Sequence, residues 1–279
     1  MEQVSSTTDS CRPGLTHPAP NALINYGLLE TFPIETFRNT APFPWFEAHQ
    51  FLTPEGFEAL RQSFPNLELF ERHYGMERPY GQRPHNRYYL AYQESIYHQT
   101  ERSIKRAIQG VVKHEELSPA WQSFLKELET SEAYRKLIES MFEVSQFEIR
   151  FAWHLGFTNC EVSPHVDATK KIGTQMIYFN TQEDWKFEWG GSTLVLGDKS
   201  TNAMNPDFTD FGDTIQIPPV GNNSLIFKNT ANAWHGMQHL TCPEGKYRRL
   251  FNIIFDVPER RRKTPVLSPG RSLLKKIFG

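Results

Sequence analysis

In the second half of the chain, apolar and polar residues alternate over several short stretches, the two-residue period of half-buried strands. The period is clearest in YRRLFNIIFDV at 247–257. Arg248, Leu250, Asn252 and Ile254 fall on one face there, and Arg249, Phe251, Ile253 and Phe255 on the other. Past Arg249 the second face is apolar and suits burial against helices, whereas Asn252 makes the first face suit a polar pocket. Further strands are expected at the end of CEVSPHVDATKKIGTQMIYFN (160–180), in WGGSTLVLG (189–197) after a Gly-Gly turn, and at the start of NSLIFKNTANAWHGM (223–237). Pro164 reads as a turn before the first of these.

The first half follows a different rhythm. PFPWFEAHQFL, between 41 and 52, is strand-like. Thr53-Pro54-Glu55 then opens a helix with a capping hydroxyl, a proline at the first helical position and an acid in the first turn. Residues 71–93 are loop-rich and dense in Arg, Tyr and His, and end in a strand. Helical patterns follow near 95–109, 118–129 and 131–141, the second announced by Ser118-Pro119. Residues 1–20, rich in Ser, Thr and Pro, are expected to be disordered. There is no internal repeat.

Candidate chemistry sits on this strand pattern. His165 and Asp167 flank Val166, and His235 lies on a later strand. Two imidazoles and a carboxylate on one face of an octahedral ion leave three positions open, which suits a non-haem Fe(II) that must also hold a bidentate co-substrate and dioxygen. Mn(II), Co(II) and Ni(II) suit the same ligands. The pair Arg248-Arg249 beyond the second histidine offers an anionic co-substrate a partner for its far carboxylate. Alternation selects Arg248 over Arg249, because Arg248 shares the face of Asn252. Arg83, His85, Arg87 and Tyr89, in the N-terminal loop, offer forked donors and aromatic faces to a substrate carrying negative or hydroxyl-rich groups. The plainer reading of that stretch is a solvated loop.

The order H-x-D, a Y-x-N strand end, G-G-x-x-L, F…W-H-G and R-R-x-x-N over about 145–257 resembles the core of iron(II)/2-oxoglutarate-dependent dioxygenases, in their prolyl-4-hydroxylase-like branch. The resemblance covers roughly 40% of the chain by the motif order. It implies a β-rich α+β fold, a double-stranded β-helix (jelly-roll) core with an N-terminal helical flank over about 41–144, and one oxygenase domain spanning 21–257. It also implies Fe(II) on His165, Asp167 and His235, 2-oxoglutarate and dioxygen as co-substrates, and Arg248 as the co-substrate anchor. By the same resemblance the Tyr178 hydroxyl joins Arg248, and His154 lies close to the co-substrate. Relatives that halogenate have lost the carboxylate, so Asp167 favours hydroxylation, with desaturation and ring chemistry using the same ligands. The substrate classes open are a small polar molecule, a saccharide or glycolipid head group, and a peptidyl side chain. The competing reading is a non-catalytic or differently metallated cupin-like binding protein.

Composition adds bounds. At 279 residues with a formal charge of −2, no whole-protein field points to nucleic acid. The N-terminus lacks a charged-then-apolar leader and no apolar run reaches about 18 residues, so a cytoplasmic location is expected. Three cysteines, Cys11, Cys160 and Cys242, read as free thiols of a reducing compartment. The tail 258–279 carries seven Lys/Arg against one acid and ends in SLLKKIFG. A solvated or packed tail is expected, with docking at the inner face of an anionic membrane as the alternative.

Overall fold

The computed structural model describes residues 22–76, 83–94 and 109–258. The segment 1–20, nearly all of the expected helix at 95–109 and the basic tail from 259 lie outside the described residues.

Two short helices, α1 (Tyr26–Glu30) and α2 (Ile34–Asn39), lead into β1 (Trp45–His49) and α3 (Pro54–Gln62). The Thr53 hydroxyl accepts from Gly56 N at the α3 N-terminus, with Pro54 at the first helical position where a missing N–H costs nothing. β2 (Glu71–His73), β3 (Arg87–Tyr92) and β4 (Val111–Val112) follow, then α4 (Pro119–Thr130) and α5 (Glu132–Phe142). Ser118 caps α4 through Trp121 N, and Ser131 caps α5 through Tyr134 N.

The strand-rich part runs through β5 (Glu148–Gly156), β6 (Val162–His165), β7 (Lys171–Tyr178), β8 (Thr193–Lys199), β9 (Phe211–Ile217), β10 (Asn223–Lys228), β11 (His235–Met237) and β12 (Arg248–Asp256). The larger sheet has the order β1-β10-β7-β12-β5-β3-β2, with β4 parallel to β3; the smaller has the order β6-β11-β8-β9. All other pairings are antiparallel, and the two sheets form the double-stranded β-helix that the sequence resemblance implies.

The larger sheet separates two apolar regions. On its outer face Phe251, Ile253 and Phe255 pack with Trp121, Phe124, Tyr134 and Phe142 of the helices. Trp121 is fully buried, 5.0 Å from the Phe251 ring and 5.2 Å from Trp153, and its Nε1 donates to Leu60 O. Between the sheets lies a smaller cluster including Met176, Leu225, Phe227 and Leu250 from one and Val195 and Ile217 from the other. The alternation expected for β12 is therefore present: one face feeds the helical core and the other looks between the sheets.

One local expectation needs correction. Pro164 lies inside β6 and not in a turn; β6 is an edge strand, where a residue without N–H leaves no ladder bond unmade. The loop-rich 71–93 stretch also begins with a short strand, since Glu71–His73 pairs with β3.

Candidate metal and co-substrate site

His165 ends β6 and His235 begins β11, and the two are cross-strand partners in the smaller sheet. Their rings lie 4.3 Å apart. Asp167 follows two residues beyond β6, with Oδ1 4.0 Å from His165 Nε2. One ligand atom from each of the three residues fits within 4.8 Å of the others, the spacing a single ion needs. The imidazoles are already oriented: each Nδ1 lies 3.0 Å from a backbone carbonyl, Ser163 O for His165 and Ala233 O for His235. A carbonyl only accepts, so Nδ1 carries the proton and Nε2 presents its lone pair. Asp167 accepts from Lys171 Nζ at 2.6 Å and from the Thr174 hydroxyl at 3.1 Å. Burial alone would raise its pKa, but Lys171, His235 and His165 outweigh that and hold the carboxyl below its usual range. Two imidazoles that present Nε2 and an ionised carboxylate are the donor set a divalent transition ion requires. The residues fit the metal.

The triad opens on a cavity of about 280 Å³. Its floor is the larger sheet, whose register sets side chains in rows. Arg248 stands opposite Gly156; Leu250 stands between His154 and Tyr178; Asn252 between Ala152 and Met176; and Ile254 between Arg150 and Thr174.

Arg248 lines this cavity although it is only 6% exposed. Its Nε donates to Gly191 O at 2.5 Å and its Nη2 to Thr193 Oγ1 at 2.8 Å, with the guanidinium 5.1 Å from the Tyr178 ring centroid. Among the described residues no carboxylate pairs with it. Burial pulls its pKa down and the neighbouring Tyr178 opposes that. Gly191 permits the arrangement: at φ +92 it adopts a conformation foreign to L side chains, and a Cβ there would lie 3.1 Å from Arg248 Cδ.

The other expected residues divide. His154 lines the cavity; burial, then the charges of Arg87 and Arg248, push its pKa well below the ordinary range, so it is neutral. Tyr178 is fully buried and does not line the cavity; its hydroxyl donates to Thr193 Oγ1 at 2.7 Å, which makes it a support beneath Arg248. His85, Arg87 and Tyr89 line the cavity, with the His85 ring 4.7 Å from that of His165. Arg83 does not. It pairs with Glu161 at 2.6 Å and Asp207 at 3.2 Å in a separate outer depression, where His239 also meets Glu161. Arg249 points away from the cavity and pairs with Asp184.

Six polar lining residues had no place in the sequence-based site: Asn86, Arg150, Lys171, Thr174, Thr193 and Asn252. Only Asn252 carried a local signal, as the polar member of an otherwise apolar strand face.

Residues 150–255 match the family model described as the 2OG-Fe(II) oxygenase superfamily. No curated protein matches the chain. Among solved structures, a Pseudomonas putida prolyl-4-hydroxylase superposes with a TM-score of 0.52 at 12% identity, covering 82% of this chain and 100% of the other. A prolyl hydroxylase from Trichoplax adhaerens, in complex with a hypoxia inducible factor oxygen degradation domain peptide fragment, gives 0.51 at 12% identity over 83% and 90%. The non-haem alpha-ketoglutarate-dependent carbocyclase SnoK from nogalamycin biosynthesis gives 0.50 at 11% identity over 82% and 85%. At such identities these likenesses carry the fold.

Proposed function

We propose that the chain is an oxygenase of the 2OG-Fe(II) superfamily, whose family model its residues 150–255 match, and that it hydroxylates an unactivated C–H bond of a small polar molecule. The enzyme uses Fe(II), 2-oxoglutarate and dioxygen; when bound, they supply the oxidant for a C–H bond, and the co-substrate leaves as succinate and carbon dioxide. His165, Asp167 and His235 are the proposed ligands of the ion. The carbonyls of Ser163 and Ala233 hold the two imidazoles in the tautomer that offers Nε2. Lys171 and Thr174 fix the carboxylate of Asp167.

The observation that carries the assignment is Arg248: a buried guanidinium, facing the cavity beside the triad, with no carboxylate partner among the described residues. A buried charge left unpaired is costly, and a dianionic co-substrate offsets that cost when it binds. The fork of Arg248 meets the far carboxylate, while Thr193 and Gly191 hold the fork in place. His154 is neutral and stands in the next row along the floor, beside Leu250, where it contacts the co-substrate without competing for its charge. Met176, Phe227 and Leu250 give the cavity an apolar wall that excludes water around the reacting carbon. With Asp167 present, no ligand position is vacated for halide, which favours hydroxylation.

The test is an anaerobic equilibrium titration of 2-oxoglutarate into the Fe(II)-loaded protein. Tight binding in the wild type and a loss of at least about tenfold in Arg248→Met supports the anchor. Unchanged affinity in that variant refutes it.

A further inference from the structure

One end of the cavity is used by neither the metal ligands nor the co-substrate anchor. Arg150 and Asn252 both line it, on the neighbouring strands β5 and β12. Arg150 stands opposite Ile254 and Ala152 opposite Asn252, so Arg150 and Asn252 are diagonal neighbours on one face, within reach of a common ligand. Arg150 Nε donates to Asp256 Oδ2 at 2.5 Å, and among the described residues the outer atoms of that pair, Arg150 Nη2 and Asp256 Oδ1, are buried and have no hydrogen-bond partner. Asn252 is 9% exposed, and its Oδ1 is also buried without a partner among the described residues. A buried polar atom left unmatched costs about 1–3 kcal/mol. Here two residues that line one cavity on neighbouring strands each keep a polar atom without a hydrogen-bond partner among the described residues.

Their position excludes the co-substrate as the missing partner. Arg248 lies six residues before Ile254 on the same strand, about 20 Å of extended backbone. A five-carbon dianion anchored at the ion and Arg248 cannot also meet Arg150. The Asp167 carboxylate, by contrast, is hydrogen-bonded to Thr174, which shares the row of Ile254 and Arg150. A group held by Arg150 therefore sits close to the triad. Lys171, on Asp167 and lining the same end, adds positive field.

We propose that Arg150 and Asn252 form the substrate subsite, and that the substrate is a small organic anion. Its carboxylate or phosphate meets the Arg150 guanidinium, and a neighbouring polar group hydrogen-bonds to the Asn252 amide. This rests on the oxygenase reading of the same cavity and adds the chemical class of its substrate. The cavity volume, shared with the co-substrate, suits a small molecule.

The experiment uses the full chain loaded with Mn(II), which holds the triad without turnover, and saturating 2-oxoglutarate, which occupies Arg248. Matched probes are added and their proton NMR lines followed for paramagnetic broadening: serine and 3-hydroxybutyrate against their carboxamides, and glucose 6-phosphate against glucose. Broadening confined to the acids identifies a carboxylate, and broadening confined to the sugar phosphate identifies a phosphate. Arg150→Gln should weaken the bound probe at least about tenfold, with Arg150→Lys retaining most of the affinity. Because Arg150→Gln leaves Asp256 buried and unpaired, Asn252→Leu is the second variant; it removes only the amide and should weaken binding severalfold. Neutral probes broadened as strongly as the anions, no probe broadened at all, or both Arg150→Gln and Asn252→Leu binding as the wild type does would each overturn the proposal. The lines of 2-oxoglutarate in the same tubes separate the two claims. If they fail to broaden in the wild type, the metal and co-substrate reading falls first.

Discussion

His165 and His235 stand directly opposite one another on the antiparallel pair β6 and β11. Side chains so paired project to the same face at about 5 Å, so sheet register alone brings two imidazoles together. Asp167 needs only the two residues of chain beyond His165 to complete the set. The donor geometry is thus a property of the hydrogen-bonded scaffold, and it leads to a first prediction about metal removal. Chelation should leave far-UV circular dichroism unchanged, since the principal core lies on the other face of the larger sheet, around Trp121 and Phe251. Cooperative loss of structure on adding chelator would show instead that the ion is structural.

The counterpart is the core itself. Phe251 is fully buried and its ring lies 5.0 to 5.8 Å from those of Trp121, Trp153, Phe151 and Phe124. Phe251→Ala should destabilise the protein by about 3–5 kcal/mol, measured by urea unfolding. A cost below about 1 kcal/mol would mean the helices are not seated on this face.

Arg248 and Arg249 should separate cleanly. Arg248→Lys removes the fork and should weaken 2-oxoglutarate at least about tenfold, about 1.4 kcal/mol. Arg249→Lys disturbs only a partly buried pair with Asp184 outside the cavity and should change 2-oxoglutarate affinity less than about twofold. The reverse ranking, in a direct binding titration, would contradict the strand register.

Thr193 accepts hydrogen bonds from both Tyr178 and Arg248. Thr193→Val keeps the shape and leaves two buried donors short of a partner. We expect a stability loss of about 1–3 kcal/mol and a severalfold weaker hold on 2-oxoglutarate. Stability lost with no change in affinity would limit Thr193 to a structural role.

His154 gives a pH signature. Its folded-state pKa lies well below the ordinary value of 6.5 that it regains on unfolding. The unfolded chain therefore binds the extra proton first, and this residue's contribution to stability falls as pH drops below about 6.5. In metal-free protein, His154→Gln should flatten the decline in unfolding free energy between about pH 6.5 and 5 relative to the wild type. Parallel curves for the two proteins would contradict a buried neutral imidazole.

Much of this was legible in the sequence because strand alternation is local. The two faces of β12, the capped starts of α3 and α4, and the grouping of His165, Asp167 and His235 all follow from short patterns. Tyr178 and Arg83 show where such patterns stop. Tyr178 shares the inner face of its strand, yet Arg248 and Thr193 cover it from the cavity. Arg83 has the right chemistry, but Glu161 and Asp207 claim it from distant parts of the chain. Arg150 and Asn252 meet only through the pairing of β5 with β12, about one hundred residues apart, and no local pattern records that. β9 escaped notice for another reason: its middle residues are all exposed, so no apolar alternation marks it.

The central claim is that His165, Asp167 and His235 hold Fe(II) together with 2-oxoglutarate anchored on Arg248. The most direct measurement is the visible charge-transfer absorption that Fe(II) and a chelating 2-oxo acid produce together under anaerobic conditions. The account predicts a band that needs both components, saturates at one Fe(II) per chain, and disappears in His235→Ala and Asp167→Ala proteins that remain folded by circular dichroism. A band of undiminished strength in folded His235→Ala, or no band in the wild type, would contradict it.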